Sequence, residues 1–199
     1  MTRNAGLIAD DDLIDIFSLL SSMYLCKPEM GTLVKWRELL SGNNHALLSD
    51  LRKALLDIDM ESDDARENLL WEYTRLFIGP YRLPCPPWES VYTSPKRLMM
   101  QDAADQVLAL YREAGLAINV TDVMPDHVGA ELNFLAILLK KILSQTEKDF
   151  YFGITERFLD EHLLRWLPSF TKDLEGSAET PLYRALARST RNVIDFYLL

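Results

Sequence analysis

Five of the nine prolines fall within sixteen positions, at Pro80, Pro84, Pro86, Pro87 and Pro95. Each lacks an N–H donor, and its ring collides with the carbonyl one turn earlier, so no helix can run through this stretch. On both sides of it, apolar residues recur at helical spacing. Leu13, Ile16, Phe17, Leu20 and Tyr24 form one stripe, preceded by Asp10, Asp11 and Asp12, whose charges suit a helix N-terminus. Residues 32–40 read as a short helix ending near Gly42. Leu47, Leu48, Leu51, Leu55 and Ile58 form a second stripe. Ala65, Leu69, Tyr73, Leu76 and Phe77 form a third, with Ser62 or Asp63 as its cap. Beyond the prolines, a helix is expected from about Ser94, with Pro95 in its first turn, to Ala114 and the C-terminal Gly115. Pro125 opens another, with Val128, Leu132, Leu135, Leu138, Leu139 and Ile142 covering so much of its circumference that it should be central and buried. Further helices are expected over about 155–167 and from Thr180 or Pro181 onward, with breaks at Pro168 and 175–179. Sustained period-2 alternation is missing, so the expected fold is all-α. A helical N-terminal part (about 1–115) and a C-terminal part (about 125–199) are joined by a hinge at 116–124, all within one domain.

Hydrophobic residues make up 48% and charged residues 26%, a globular balance. The net charge of −9 repels phosphate backbones and argues against nucleic acid as a partner. It favours encounter with a basic segment, although the same acidity also serves plain solubility. Cys26 and Cys85 stand too far apart for a Cys-x-x-Cys redox or zinc pattern, and a reduced setting fits them. The first twelve residues show no apolar signal core, and the apolar run from Phe134 stops at Lys140 and Lys141. A cytoplasmic protein without membrane insertion is the expectation.

Two constellations could carry function. The proline-rich stretch also holds Tyr81, Leu83, Trp88, Val91 and Tyr92. A stiff aromatic loop loses little entropy on binding a partner; the same side chains could equally be a lid on the core. The second is Pro125-Asp126-His127-Val128-Gly129-Ala130-Glu131. On a helix starting near Pro125, Asp126 lies in the first turn, while His127 and Glu131 share a face four residues apart. They could receive a peptide or a guanidinium, or form an ordinary helix cap and side-chain contact. A metal-dependent hydrolase centred on Asp126, His127 and Glu131 is the alternative, as is a helical adaptor for an unrelated protein. Only three histidines exist (His45, His127 and His162), and neither a His-Glu-x-x-His nor a Gly-x-Ser-x-Gly motif occurs. Glycine-rich phosphate loops are likewise missing. No catalytic or metal-ligating residue is assigned, and His162, near Trp166, reads as a satisfied core histidine.

Three stretches together resemble the TorD/DmsD family of redox-enzyme maturation chaperones. The first is Leu76-Phe77-Ile78-Gly79-Pro80-Tyr81 running into Pro86-Pro87-Trp88-Glu89-Ser90-Val91-Tyr92. The second is Pro125-Asp126-His127 with Glu131-Leu132. The third is Phe158-Leu159, His162-Leu163, Trp166-Leu167-Pro168 and Phe170. The resemblance implies an all-helical chaperone, not an enzyme. Its expected partners are the twin-arginine leader peptide and apo catalytic subunit of a molybdopterin-dependent oxidoreductase of the dimethyl-sulfoxide or trimethylamine-N-oxide reductase type. It would hold that client until cofactor insertion and so delay export in anaerobic respiration. The family's leader-binding surface maps to Tyr73, Leu76, Phe77, Pro87, Trp88, Asp126 and His127. Pro86, Glu89, Tyr92, Pro125 and Glu131 complete the candidate peptide-binding set. In this reading Trp88, Leu76 and Phe77 bury the leader's apolar part, and Asp126 and Glu89 meet its arginines. No cofactor is expected; a guanine nucleotide follows from the resemblance alone, with no residue here to hold it. Tyr73 in place of a tryptophan, and Met124 in place of an acidic residue, depart from relatives and leave the client undefined. The connection at 116–124 suggests a monomer able to form a dimer by exchange of its C-terminal helices.

Overall fold

Asp10 adopts an extended backbone and its carboxylate accepts the Leu13 N–H at 2.7 Å, which starts helix α1 (Asp11–Leu25). The computed structural model describes residues 10–42, 45–80, 82–118, 122–144 and 147–197. The first nine positions, Tyr81 and part of the 116–124 connection therefore lie outside the described residues. In chain order come α2 (Met30–Gly42), a 3₁₀ turn (Ala46–Leu48), α3 (Ser49–Leu56), α4 (Asp63–Phe77) and α5 (Glu89–Thr93). These are followed by α6 (Asp102–Glu113), α7 (Val128–Leu143), α8 (Lys148–Phe158), a π turn (Leu159–Leu163), α9 (Leu164–Ser177) and α10 (Pro181–Tyr197). Among the described residues the protein is all-α: no β-strand forms, and an isolated antiparallel bridge joins Trp88 to His127. None of its helices there is long and apolar enough to cross a membrane.

The stripes read from the sequence are the core. Leu13, Ile16, Phe17 and Leu20 of α1 are fully buried, as are Val128, Leu132, Leu135, Leu138 and Leu139 of α7. These two helices pack along each other at the centre, and one cluster of buried apolar side chains runs on through α10. Helix α6 docks on α7 through Tyr111, whose ring stacks on Phe134 at 4.1 Å and whose hydroxyl donates to the Ala130 carbonyl at 2.8 Å. Helix α4 is pinned by Glu72, whose carboxylate accepts the Glu179 and Thr180 N–H groups at the start of α10. Its neighbour Arg75 donates to the Ser177 carbonyl at the end of α9, at 2.8 Å.

Three local expectations are corrected. The helix expected from Ser94 begins only at Asp102, because Arg97 (φ 51°) and Met100 (φ 56°) adopt left-handed conformations that no right-handed helix accepts. The proline-rich stretch is not loop throughout: Glu89–Thr93 forms α5 between Pro87 and Pro95. Pro168 lies inside α9 rather than at a break. It removes one ladder donor, yet the helix continues because Trp166, Leu167, Phe170 and Leu174 are fully buried, and packing outweighs local propensity. The expected stop at Gly115 is where α6 ends, with Gly115 at φ 70°.

Helix α1 comes into tight contact with α7 at Gly129. Ser21 Oγ donates to the Gly129 carbonyl at 2.6 Å. A methyl group added at Gly129 would lie 2.4 Å from Leu25 Cγ and 3.1 Å from the Ser21 carbonyl oxygen. Gly129→Ala is therefore expected to destabilise by about 1–3 kcal/mol through overpacking. Thermal melts should show a Tm lower by roughly 2–4 °C per kcal/mol; an unchanged Tm would mean the helices do not approach so closely.

Candidate functional site

Trp88 and His127 are the last extended residues before α5 and α7, with ψ angles of 131° and 135°. Extended backbone lets them pair. Glu89 N–H donates to the Asp126 carbonyl, and Val128 N–H donates to the Pro87 carbonyl, both at 2.9 Å. Each bond satisfies the first amide of one helix with a carbonyl from the other segment's approach. The two constellations singled out in the sequence thus meet through their backbones. The pairing also moves the helix start expected at Pro125 to Val128: His127 is the cap, and Asp126 precedes it.

Asp126 is fully buried and faces α5. Its Oδ2 accepts from the Ser90 N–H at 3.0 Å and from the Ser90 hydroxyl. Burial pushes its carboxyl above the usual carboxylate range, with the Ser90 hydrogen bonds pulling the other way. Glu89, also buried, takes His162 Nδ1 at 2.9 Å and 3.2 Å on its two oxygens. Glu131 accepts the Trp166 indole N–H at 2.9 Å. Burial, followed by the neighbouring Glu89 charge, holds Glu131 well above its ordinary value. The predicted His127–Glu131 pair therefore does not form: Glu131 is occupied by α9, and His127 Nδ1 accepts the Gly129 N–H at 3.1 Å. His162 is, as read, a satisfied buried histidine, with Glu89 as its partner.

His127 is half-buried and its ring meets the Trp88 indole edge-to-face at 5.9 Å. Its lone pair on Nδ1 is committed to the cap, and burial pushes its pKa down to about 4. That direction favours the neutral imidazole at pH 7.

A groove of about 240 Å³ collects Tyr73 and Phe77 of α4, Trp88, and His127. Tyr24 and Leu25 of α1, Ile78, and Asp122, Val123 and Met124 complete its lining. Tyr73 is fixed by its hydroxyl, which donates to the Tyr24 carbonyl at 3.0 Å, and by edge-on contact with Phe77 at 5.3 Å. The other candidates serve elsewhere. Leu76 is core, Pro87 and Pro125 are buried at the bridge, and Tyr92 packs on Trp166 at 5.5 Å. Pro86 lines a second cavity, which Trp88 also borders. Asp126, Glu89 and Glu131 are buried and none of them lines the groove; Glu89 borders a separate cavity with Thr93, Gln101 and Arg165. The carboxylate in the groove lining is Asp122. Among the described residues, no group of three or more metal-ligating side chains comes together.

Geometry and comparison agree on the class of protein. A family described as nitrate reductase delta subunit matches residues 37–172. The Tat proofreading chaperone DmsD of Salmonella typhi is 31% identical over 156 residues, covering 73% of this chain and 72% of that protein. The chaperone protein TorD of Vibrio cholerae is 30% identical over 129 residues, 63% of this chain and 58% of its own. A crystal structure of a redox enzyme maturation protein from Archaeoglobus fulgidus superposes with a TM-score of 0.64 at 26% identity, covering 92% and 93% of the two chains. The chain belongs to this TorD family of helical chaperones for molybdoenzyme maturation, whose named members are chaperones and not enzymes.

The burial of the His127 imidazole makes stability depend on pH. The unfolded imidazole takes up a proton near its ordinary value of 6.5, whereas the folded one does so only at about 4. Stability from this group is therefore complete above 6.5 and lost as the pH falls towards 4. Asp126 and Glu131, with raised values, contribute in the opposite sense, so the comparison is made between two proteins. His127→Asn keeps a capping side chain without the titration. Urea midpoints are expected to fall less for His127→Asn than for the unmodified chain between pH 6.5 and 4; parallel curves would mean that burial does not lower the His127 pKa.

Proposed function

We propose that the protein binds the twin-arginine leader and the apo catalytic subunit of a molybdopterin-dependent oxidoreductase of the dimethyl-sulfoxide or trimethylamine-N-oxide reductase type. It works in the cytoplasm, shielding the leader until the cofactor is in place. The observation that carries this reading is the groove itself, in which Tyr73, Phe77, Trp88 and His127 come from three separate segments. Relatives named Tat proofreading chaperones support the same partner class.

Binding in this reading is physical and breaks no bond. The Trp88 indole and the Phe77 ring supply apolar wall, at about 1.5–3 kcal/mol for a fully buried large side chain. The bridge, Asp126 and the Tyr73 hydroxyl hold the Trp88, His127 and Tyr73 walls in place, so those walls lose little entropy on binding. Asp122 and the net charge of −9 attract the basic part of the leader. The monomer is the binding unit, and exchange of the helices beyond the 116–124 connection would carry His127, one groove wall, into a partner chain.

Titration calorimetry with a synthetic twin-arginine leader tests this. Affinity is expected to fall as salt rises. Trp88→Ala is expected to cost about 2 kcal/mol or more in binding while leaving the helical circular dichroism unchanged. A normally folded Trp88→Ala protein with unchanged affinity would make the loop a lid on the core.

A further inference from the structure

Trp88 is shared by two cavities. Besides the groove it lines a larger one of about 760 Å³, with Leu83, Pro84, Pro86, Val91, Leu98 and Met99 as its apolar walls and Arg82 and Arg97 as its charged members. The two compartments differ in sign. The cavity's charged lining residues are both arginines, whereas Asp122 is the charged residue of the groove, where His127 is neutral. Trp88 is therefore common to a groove lined by Asp122 and to a largely apolar cavity lined by two arginines.

The wall beyond Pro95 is held against its own conformational preference. Arg97 and Met100 both take left-handed backbone angles, of 51° and 56°, which side chains with a Cβ adopt at a cost. Between them, Leu98 is 52% and Met99 38% exposed, and Met100 follows at 68%. Such a run of large apolar side chains in solvent marks an interaction surface rather than a core, and methionine adapts to apolar ligands of varied shape. The Arg97 guanidinium lies 5.7 Å from the Tyr92 ring centroid, which keeps its charge at the cavity.

We propose that a bound leader crosses Trp88 in one direction: its basic stretch lies in the groove towards Asp122, and its apolar stretch fills the cavity bounded by Leu83, Pro86, Leu98 and Met99. This rests on the peptide-binding reading above and adds a subsite and a polarity to it. The apolar walls accept the uncharged part of the peptide. Arg82 and Arg97 repel a guanidinium or ammonium, so the reversed orientation is disfavoured at the same place where the forward one gains burial.

The test uses the full chain and calorimetry with three synthetic leaders. The first has paired arginines followed by an apolar stretch, the second has that stretch replaced by serines, and the third has two lysines within it. Leu98→Ser/Met99→Ser changes exposed side chains, and circular dichroism verifies its fold. It is expected to bind the first leader about tenfold more weakly than the unmodified chain does, and the second leader with no further loss. The third leader is expected to bind the unmodified chain about tenfold more weakly than the first, and to recover on Arg82→Glu/Arg97→Glu. Unchanged affinity of Leu98→Ser/Met99→Ser for the first leader, with Trp88→Ala still impaired, would overturn the subsite while leaving the groove in place. Unchanged affinity in Trp88→Ala as well would overturn both. If the serine variant altered only self-association in sedimentation, the cavity would face a second copy and the proposal would fall.

Discussion

The antiparallel pairing of Trp88 with His127 joins two segments that the chain keeps 39 positions apart, and the groove exists only where they meet. Two backbone hydrogen bonds form the pairing, each worth about 0.5–1.5 kcal/mol net. Taken alone they would be a weak clasp. Asp126 strengthens it from behind by accepting both Ser90 donors, so the turn after Trp88 cannot swing away without stranding a buried carboxylate. The prolines act in the same sense, since they limit the conformations the free loop would regain.

Three buried acidic side chains surround this joint, and each has a different donor: Ser90 for Asp126, His162 for Glu89, the Trp166 indole for Glu131. Apolar residues in their place could be as stable or more so, because burying carboxylates carries a large desolvation cost. What the polar frame adds is a defined geometry. The donors lie on α5, on the π turn and on α9, so α5 and α7 can dock on them in one register. The π turn itself places His162 beside Glu89, a local departure from regular helix that serves the joint.

Much of the scaffold was legible because burial writes a period into the chain. The stripe from Leu13 to Tyr24 and the nearly all-apolar run of α7 announced the central pair, and Ser62 announced the start of α4. The joining of Pro87-Trp88 to Asp126-His127 was legible only as motif resemblance, since nothing in periodicity predicts a backbone bridge between distant segments. The His127–Glu131 pairing failed to form for a related reason. Four-residue spacing places His127 and Glu131 on one face only if both are helical, and His127 is extended because it pairs with Trp88. Tyr24, Leu25 and Asp122 carried no signal of a site: the first two belong to an ordinary core stripe or its end, and the third to an irregular connection. The left-handed Arg97 and Met100 were hidden as well, because neither is a glycine.

The four tryptophans offer a direct test of the groove. Trp36 and Trp166 are buried with their indole N–H groups bonded to Ser22 and Glu131, Trp71 is exposed on α4, and Trp88 lines both the groove and the cavity. Nitrogen-15 labelling of the indoles gives four resonances that can be followed while a synthetic twin-arginine leader is added. The account predicts a saturable shift of the Trp88 signal, with Trp36 and Trp166 unmoved. Saturable binding that leaves Trp88 in place and moves Trp71 or the buried pair instead would contradict it.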